Sequence, residues 1–409
     1  MNDLESGRRR TPGALLVADV FPPAIGGSGH LLASVYSRLD GVPVTVLAGG
    51  QGGDPGVAVR DLDVVPAGAV SSHWGVIDPR GLASHVRRLG QIRRQLARAD
   101  AAVVHCARAL PEGLAAWADR RLGGPPYVCW AHGEELGYAR GSRELAALMS
   151  LVLRGAHALI ANSRNTAAEL VAAGAPAERI TVVYPAVDAA SFRPDAPGAA
   201  NLRSRFARDG EIILLTVGRL QRRKGHDLVI RALAELVRRQ VAVRYVVVGT
   251  GDDQDRLEQL ARDCGVRDRV ELVGAVTAGE LPAYYAAADV FVHPNRVDGP
   301  DFEGFGIVFL EAAAAGLAVI AGRTGGAPEA IEAGETGLLV SGTDVDELVS
   351  ALSSLAADPE RRRAMGAAGR ARAIARFSWE RAADETRRVH EQAASGTTWR
   401  SPVENHADA

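Results

Sequence analysis

Lysine is all but missing from this chain: of its 47 lysine and arginine residues only Lys224 is a lysine. Cysteine is scarce as well. Cys106, Cys129 and Cys264 make an odd count, no two stand at CxxC spacing and no histidine cluster accompanies them. That pattern writes neither a disulfide framework nor a zinc site, and it reads as reduced, mostly buried thiols of a cytoplasmic protein. Aromatic residues make up only 5% of the chain and are not interleaved with basic runs, which argues against a nucleic-acid stacking platform. The net charge of -2 gives no overall pull towards nucleic acid or anionic lipid. Long uninterrupted apolar runs are absent too. The run at 14–20 contains Asp19 and meets Pro22-Pro23, and the run at 306–322 contains Glu311 and Gly316, so neither reads as a signal peptide or a membrane span. No acidic pair stands where a metal would be expected, since Asp252-Asp253 reads as a helix cap.

What is present is an alternation of short β-rich runs and helical runs, made twice over. Strands are expected at 14–20, 43–48, 101–105, 127–132, 158–161 and 180–183, then at 212–218, 244–249, 270–273, 290–292, 318–321 and 337–340. Helices between them include 30–39, 82–99, 227–238 and 306–315. Continuous apolar strands joined by helical crossovers imply parallel sheets covered on both faces. The stretch 192–209, opening Phe192-Arg193-Pro194-Asp195-Ala196-Pro197-Gly198, has the composition of a linker and divides residues 1–200 from 206–376. The fold class expected is therefore α/β, with two facing, doubly wound Rossmann-like domains. Such sheets bind ligands beyond the carboxyl ends of their strands, so facing domains would enclose a ligand cleft. Helices at 359–376 and 379–392 follow, and the polar tail 393–409 is expected to be disordered. The helix at 82–99 interleaves Arg87-Arg88, Arg93-Arg94 and Arg98 with apolar residues, which suits either an anionic membrane surface or an ordinary solvated face.

Candidate chemistry collects at strand ends. Lys224 follows the strand that closes on Val217-Gly218-Arg219-Leu220, and its compact ammonium suits the crowded oxygens of a diphosphate. Arg219 stands beside it, and the two charges would stabilise a diphosphate leaving group. Glu303 and Glu311 lie eight residues apart around Gly304-Phe305-Gly306-Ile307, a glycine turn that opens a helix. Unpaired helix-start N–H groups flanked by two carboxylates can grip several hydroxyls of a polyol. The loop Gly26-Gly27-Ser28-Gly29 offers backbone donors to a phosphate. His132, ending a strand and followed by Gly133-Glu134-Glu135, can bond a sugar hydroxyl or a phosphate. Thr324-Gly325-Gly326 is a further strand-to-helix turn of the same kind.

Taken in order along the chain, Gly26-Gly27, His132-Gly133, Gly218-Arg219-Leu220, Lys224-Gly225, Glu303 to Glu311, Gly325-Gly326 with Glu329 and Phe377-Ser378-Trp379-Glu380 resemble the family 4 retaining glycosyltransferases of the GT-B fold. The second half, above all residues 296–329, looks most like bacterial phosphatidylinositol-mannoside mannosyltransferases. The resemblance implies a nucleotide-diphosphate sugar held mainly by the C-terminal domain, with GDP-mannose favoured and a UDP-sugar still open. It implies Arg219 and Lys224 on the diphosphate, Gly27 backbone towards the distal phosphate and Val276 against the base. Glu303 with the backbone of Phe305, Gly306 and Ile307 would hold the sugar, Glu311 the ribose, and His132 would sit beside the reacting centre. It also implies no metal or cofactor, a helix after Trp379 returning to the N-terminal domain, and a lipid or small-molecule acceptor. Two departures stand out: Ser28 replaces an apolar residue after the paired glycines, which places a hydroxyl at the phosphate or acceptor site, and Glu134 follows His132-Gly133, where it faces the acceptor side. Ala278 and Leu281, beyond Val276, offer guanine no polar partner. The other activities these residues leave open are transfer of glucose or N-acetylglucosamine, nucleotide-sugar epimerisation, and non-catalytic sensing of a nucleotide sugar.

Overall fold

A computed structural model describes residues 11–22, 27–49, 62–68, 73–208 and 210–397. In chain order the elements are β1 (Gly13–Ala18), α1 (Gly27–Tyr36), β2 (Val44–Ala48), β3 (Asp63–Pro66), α2 (Pro79–Leu96), β4 (Ala101–Cys106), α3 (Glu112–Arg121), β5 (Tyr127–Ala131), α4 (Glu134–Arg140), α5 (Arg143–Gly155), β6 (Ala158–Ala161), α6 (Arg164–Ala172) and β7 (Ile180–Val182). There follow α7 (Ala199–Phe206), β8 (Ile212–Val217), α8 (His226–Arg238), β9 (Val243–Val248), α9 (Gln254–Asp263), β10 (Val270–Gly274), α10 (Leu281–Ala287), β11 (Val290–His293), α11 (Ile307–Ala314), β12 (Ala318–Gly322), α12 (Ala327–Ala330), β13 (Gly337–Val340), α13 (Val345–Ala357), α14 (Pro359–Arg376) and α15 (Trp379–Ala394).

The chain forms two compact units, one of residues Met1–Tyr184 with Trp379–Ala409, the other of Pro185–Ser378. Each is built on a wholly parallel sheet. The first has strand order β3-β2-β1-β4-β5-β6-β7 and the second β10-β9-β8-β11-β12-β13. Both are Rossmann-like. Leu15, Val17, Val104 and Cys129 line one core, and Leu214, Tyr245, Val247 and Val292 the other. Such strands are apolar at nearly every position because helices cover both faces of a parallel sheet. In each sheet the order reverses between two neighbouring strands, β1/β4 in the first and β8/β11 in the second. At these points successive crossovers leave in opposite directions and open a crevice beyond the strand ends.

Several boundaries differ from the sequence expectation, each for a local reason. Strand β3 lies at the sheet edge, largely exposed and ending in Pro66, so it lacks the apolar signature of its neighbours. Helix α2 begins at Pro79 rather than at 82, because Asp78 accepts a hydrogen bond from Arg80 N (2.8 Å) and Pro79 presets the first turn, and it ends at Leu96 rather than at 99. The stretch 192–209 is not a linker. It carries α7 and belongs to the second unit, where Arg203 binds Asp289 (2.8 Å) and Arg370 binds the Phe192 carbonyl (3.0 Å). The division between units falls at Tyr184/Pro185. Helix α15 runs two residues beyond the expected end, with Ala393 fully buried, while the tail from 398 lies outside the described residues. Asp253 stands at the cap position of α9, yet its carboxylate pairs with Arg256 instead of a backbone N–H.

Helix α15 is fixed to the first unit by a buried polar chain. Trp130 Nε1 contacts Tyr36 Oη (3.0 Å), Tyr36 Oη contacts His105 Nδ1 (2.7 Å), His105 Nε2 contacts His390 Nδ1 (3.1 Å), and His390 Nε2 contacts the Pro12 carbonyl (2.7 Å). The indole only donates and the carbonyl only accepts, so the proton positions follow. Tyr36 donates to His105, His105 to His390 and His390 to Pro12, and every link is satisfied with both imidazoles neutral. Burial lowers the pKa of both rings in the same sense.

Candidate active site

The β8/β11 switch point brings Lys224 and Glu303 together. After β8 the chain makes a short turn over Arg222–Lys224, and Gly225 (φ 75°) leads into α8. The turn is set by a buried chain of polar contacts: His226 Nε2 to the Arg219 carbonyl (3.2 Å), His226 Nδ1 to Tyr245 Oη (3.0 Å) and Tyr245 Oη to Thr216 Oγ1 (2.9 Å). After β11, Asn295 anchors the second loop, donating to the Thr324 carbonyl (2.9 Å) and accepting from Gly322 N (3.0 Å). Arg296 N donates to the Arg223 carbonyl (2.8 Å), so the two loops share a backbone bond.

On this frame Lys224 Nζ meets Glu303 Oε2 at 2.5 Å and Arg223 Nη1 meets the same oxygen at 2.9 Å. Arg223 Nε also reaches Asp301 Oδ2 (2.8 Å). Glu303 Oε1 takes no hydrogen bond among the described residues. Burial alone would raise the Glu303 pKa, but Lys224 and then Arg223 hold it well below the usual carboxylate range. Burial lowers the Lys224 ammonium, Glu303 opposes that, and the charges of Arg223 and Arg219 add to it. Arg219 itself is exposed at the end of β8. Lys224 and Arg223 thus face two carboxylates, Glu303 and Asp301, at the strand ends.

The glycine turn before α11 is formed as its sequence requires. Gly306 has φ 85°, and a Cβ there would lie 2.5 Å from the Phe309 ring. Gly325 has φ 67°, and a Cβ there would lie 2.3 Å from the Glu303 carbonyl, so the 303–306 and 324–326 loops pack backbone to backbone. Gly306 is the residue before the helix rather than its first, and it offers α11 no side-chain cap, which leaves the first-turn N–H groups of Ile307 and its neighbours for a ligand or water. Gly304 and Phe305 are buried in this loop. Glu311 lies further along α11, where it accepts from Tyr285 Oη (2.6 Å) and burial pushes its pKa up to about 7. Val276 is half-buried just after β10.

In the first unit, Gly27 and Ser28 are not a loop but the first turn of α1, and Gly26 lies outside the described residues. His132 stacks on Trp130 (centroids 6.1 Å, 7° between planes), and its Nε2 donates to the Ala107 carbonyl (3.0 Å). Its Nδ1 is therefore the acceptor. Burial and then Arg108 lower the ring pKa to about 4, so it is a neutral acceptor suited to a hydroxyl rather than to an anion. Glu134 is exposed at the first residue of α4, while Glu135 is buried and accepts from His132 N (2.8 Å).

Sequence reasoning passed over three groups here. Arg223 is one arginine among dozens. Asp19 registers only as a break in an apolar run, yet it is buried and paired with Arg88 of α2, and its N–H donates to Glu112 Oε1 (3.0 Å). His293 closes β11 with no exposed surface.

Residues 27–191 match the model described as Glycosyltransferase Family 4, and residues 200–372 the model described as Glycosyl transferases group 1. A GDP-mannose-dependent alpha-(1-6)-phosphatidylinositol monomannoside mannosyltransferase of Mycobacterium tuberculosis is 37% identical over 375 residues, 90% of this chain and 94% of that one. The chain belongs to glycosyltransferase family 4. The enzyme is a hexosyltransferase of the GT-B fold that uses a nucleotide-sugar donor. A GDP-mannose-dependent monoacylated alpha-(1-6)-phosphatidylinositol monomannoside mannosyltransferase of Corynebacterium glutamicum is 32% identical over 386 residues, 92% of this chain and 96% of that one. Among solved structures, sucrose-phosphate synthase from Thermosynechococcus elongatus shares the fold with a TM-score of 0.79 at 24% identity, covering 94% of this chain and all of that one.

Proposed function

We propose that the enzyme transfers mannose from GDP-mannose to a hydroxyl of a phosphatidylinositol mannoside-type glycolipid, with retention of α configuration and without a metal. The observation that carries the donor assignment is the buried Lys224–Glu303–Arg223 cluster at the β8/β11 switch point, where the flexible ammonium of Lys224 is held by a single carboxylate oxygen. The mannosyltransferase relatives support the sugar and the acceptor class.

Lys224 and Arg219 neutralise the diphosphate as its bond to the anomeric carbon breaks. The acceptor oxygen bonds to that carbon from the same face, and its proton passes to an oxygen of the leaving diphosphate. Glu303 Oε1, which takes no other hydrogen bond among the described residues, accepts from sugar hydroxyls. With Oε2 held by two cations, the carboxylate orients the sugar rather than attacking it. The backbone of Phe305, Gly306 and Ile307 adds donors at the sugar, Glu311 takes the ribose, and Val276 packs on the base. In the first unit Gly27 and Ser28 are assigned to phosphate oxygens, the acceptor nitrogen of His132 to a sugar hydroxyl, and Glu134 to the acceptor.

The acceptor class gives α2 a role. Leu82 (48% exposed) and Val86 (61%) stand on its outer face beside exposed Arg87 and Arg94, and Ile77 (79%) precedes the helix. No helix among the described residues is long and apolar enough to cross a membrane. Peripheral contact of this face with an anionic lipid surface, at the cytoplasmic side of the membrane, is the reading it supports.

The test is a thermal-shift screen with GDP, UDP, ADP and their sugars, followed by transfer of labelled mannose to phosphatidylinositol monomannoside in vesicles. GDP and GDP-mannose should give the largest shifts and label should enter the lipid. Stabilisation by UDP but not GDP would remove the donor assignment, and transfer to free inositol phosphate but not to lipid would remove the acceptor.

A further inference from the structure

Three groups crowd one carboxylate oxygen, and only two are bonded to it. His293, the last residue of β11, is fully buried, with its ring near those of Phe291 and Phe309 (centroids 6.1 and 5.3 Å). Its Nε2 lies 3.8 Å from Glu303 Oε2, beyond hydrogen-bond reach, and neither ring nitrogen has a hydrogen-bond partner among the described residues. A buried imidazole with two unmet nitrogens is unfavourable. The two cations on Glu303 are not equally held. Arg223 is also tied to Asp301, whereas Glu303 is the sole partner of Lys224 among the described residues. Of the two, the flexible ammonium is the one free to turn towards an arriving diphosphate.

We propose that His293 is a positioning residue for Glu303, taking the place of Lys224 on the carboxylate when Lys224 turns to the donor diphosphate. The proposal rests on the donor-site reading above. Arg223 stays, pinned by Asp301. The ring needs to approach by only about 1 Å to reach hydrogen-bond distance. It arrives as a neutral donor: burial and then the Lys224 charge disfavour its protonation, His226 and Arg223 act in the same sense, and Glu303 alone opposes them. Glu303 so remains ionised and fixed while its ammonium partner is engaged elsewhere. The donor diphosphate and the sugar-orienting carboxylate are thereby coupled through one exchange of partners.

The test uses the full chain. In the wild type, ring ¹⁵N and ¹H signals of His293 are followed as GDP is added, and a new hydrogen-bonded Nε2–H signal is expected. His293→Leu, which cannot donate, should raise both the KM for GDP-mannose and the Kd of GDP about tenfold, as expected for one lost hydrogen bond to a charged group that forms when the diphosphate binds. In this variant the acid limb of kcat, which reports the donor complex, should move to higher pH, because Glu303 is protonated more readily there. His293→Gln, which keeps a donor, should restore most of the KM and the acid limb. Ring signals unchanged by GDP, or a His293→Leu enzyme with wild-type KM and pH profile, overturn the proposal. Should His293→Leu fail to fold, the ring signals decide. Lys224→Ala and Glu303→Gln separate the two readings. Full activity in both overturns the donor site and this exchange together, whereas loss in both with an unaltered His293→Leu overturns the exchange alone.

Discussion

At the switch point of the second sheet, two cations converge on one oxygen of a single buried carboxylate, with Arg219 adding a third positive charge. At that of the first sheet, two buried carboxylates, Asp19 and Glu112, share Arg88 and Arg108, and the nearby imidazole of His132 is neutral. The topology is the same and the electrostatics are opposite in purpose. The second site holds a flexible ammonium by one carboxylate oxygen, and a diphosphate can draw it away. In the first each guanidinium is already paired with a carboxylate, and burial followed by the neighbouring Glu112 pushes Asp19 up to about 6, so an anion gains nothing by entering and hydroxyls find acceptors. One fold presents two chemistries because the residues at the strand ends are free to differ while the strands must stay apolar.

The sharpest way to break this comparison is at Lys224. Lys224→Ala should lower kcat by about 10²–10³-fold, the cost of removing one electrostatic stabiliser of a developing charge. Steady-state transfer with GDP-mannose measures it, and wild-type turnover would place the diphosphate elsewhere. Arg223 still neutralises Glu303 in that variant, so the melting temperature should fall less than the rate.

The first site answers to a different probe. Arg88→Met removes one partner of a buried pair, a change that costs up to about 3–5 kcal/mol when the other charge cannot escape. Here it can. Asp19 already sits near 6, and without Arg88 its folded-state pKa rises further above the unfolded value. A raised acid loses stability as pH rises, so the variant should be hurt more at pH 8 than at pH 5.5. Urea unfolding at the two pH values checks this, and equal losses would mean that Asp19 is not the group left behind.

How much of this was legible in the sequence differs between the two sites for the same reason. Lys224 announced itself by rarity in an arginine-rich chain, and Glu303 by its place before a glycine turn. Arg223, equally buried and holding the same carboxylate, was hidden by that very composition. Asp19 was hidden by its neighbours, since a lone acid at the end of an apolar run signals a strand break before it signals a partner on a helix 69 residues away. The parallel strands were readable because burial on both faces leaves continuous apolar runs, whereas β3 was not, being an edge. Helix α7 was masked by Pro194, Pro197 and Gly198, which look like a linker although Gly198 (φ 88°) stands at the helix start. Pairings at long sequence separation carry no local signature, and Lys224–Glu303 and Arg88–Asp19 are both of that kind.

His390→Leu tests a neutral chain rather than a charged cluster. It leaves His105 Nε2 and the Pro12 carbonyl without a partner, at about 1–3 kcal/mol for an unsatisfied buried group. The wild-type rings have folded-state pKa values below the unfolded one, so their contribution is fully present above about 6.5 and lost as pH falls below it. Removing His390 should lower stability at pH 7.5 and flatten the acid-side decline, which urea unfolding from pH 5 to 7.5 would show. An unchanged slope would mean that His390 does not titrate on unfolding.

The smallest effect concerns the outer face of α2, where the arginines are not equivalent. Arg88 is committed to Asp19, and Arg93 to Asp119 (3.0 Å) and the Leu122 carbonyl (3.2 Å), so neither is available to a surface ligand. Arg87 and Arg94 stay exposed beside Leu82 and Val86. Each basic residue near an anionic leaflet strengthens binding about fivefold, and the effect fades as salt screens it. Arg87→Gln with Arg94→Gln should therefore weaken sedimentation with phosphatidylserine vesicles by about an order of magnitude at low salt, with turnover on a detergent-dispersed acceptor unchanged. Arg93→Gln, whose guanidinium is already bonded within the fold, should change vesicle binding much less. An equal loss from Arg93 would mean that charge on this helix acts as a diffuse field rather than through a face, and a double variant that binds like wild type would leave Ile77, Leu82 and Val86 as the surface to test.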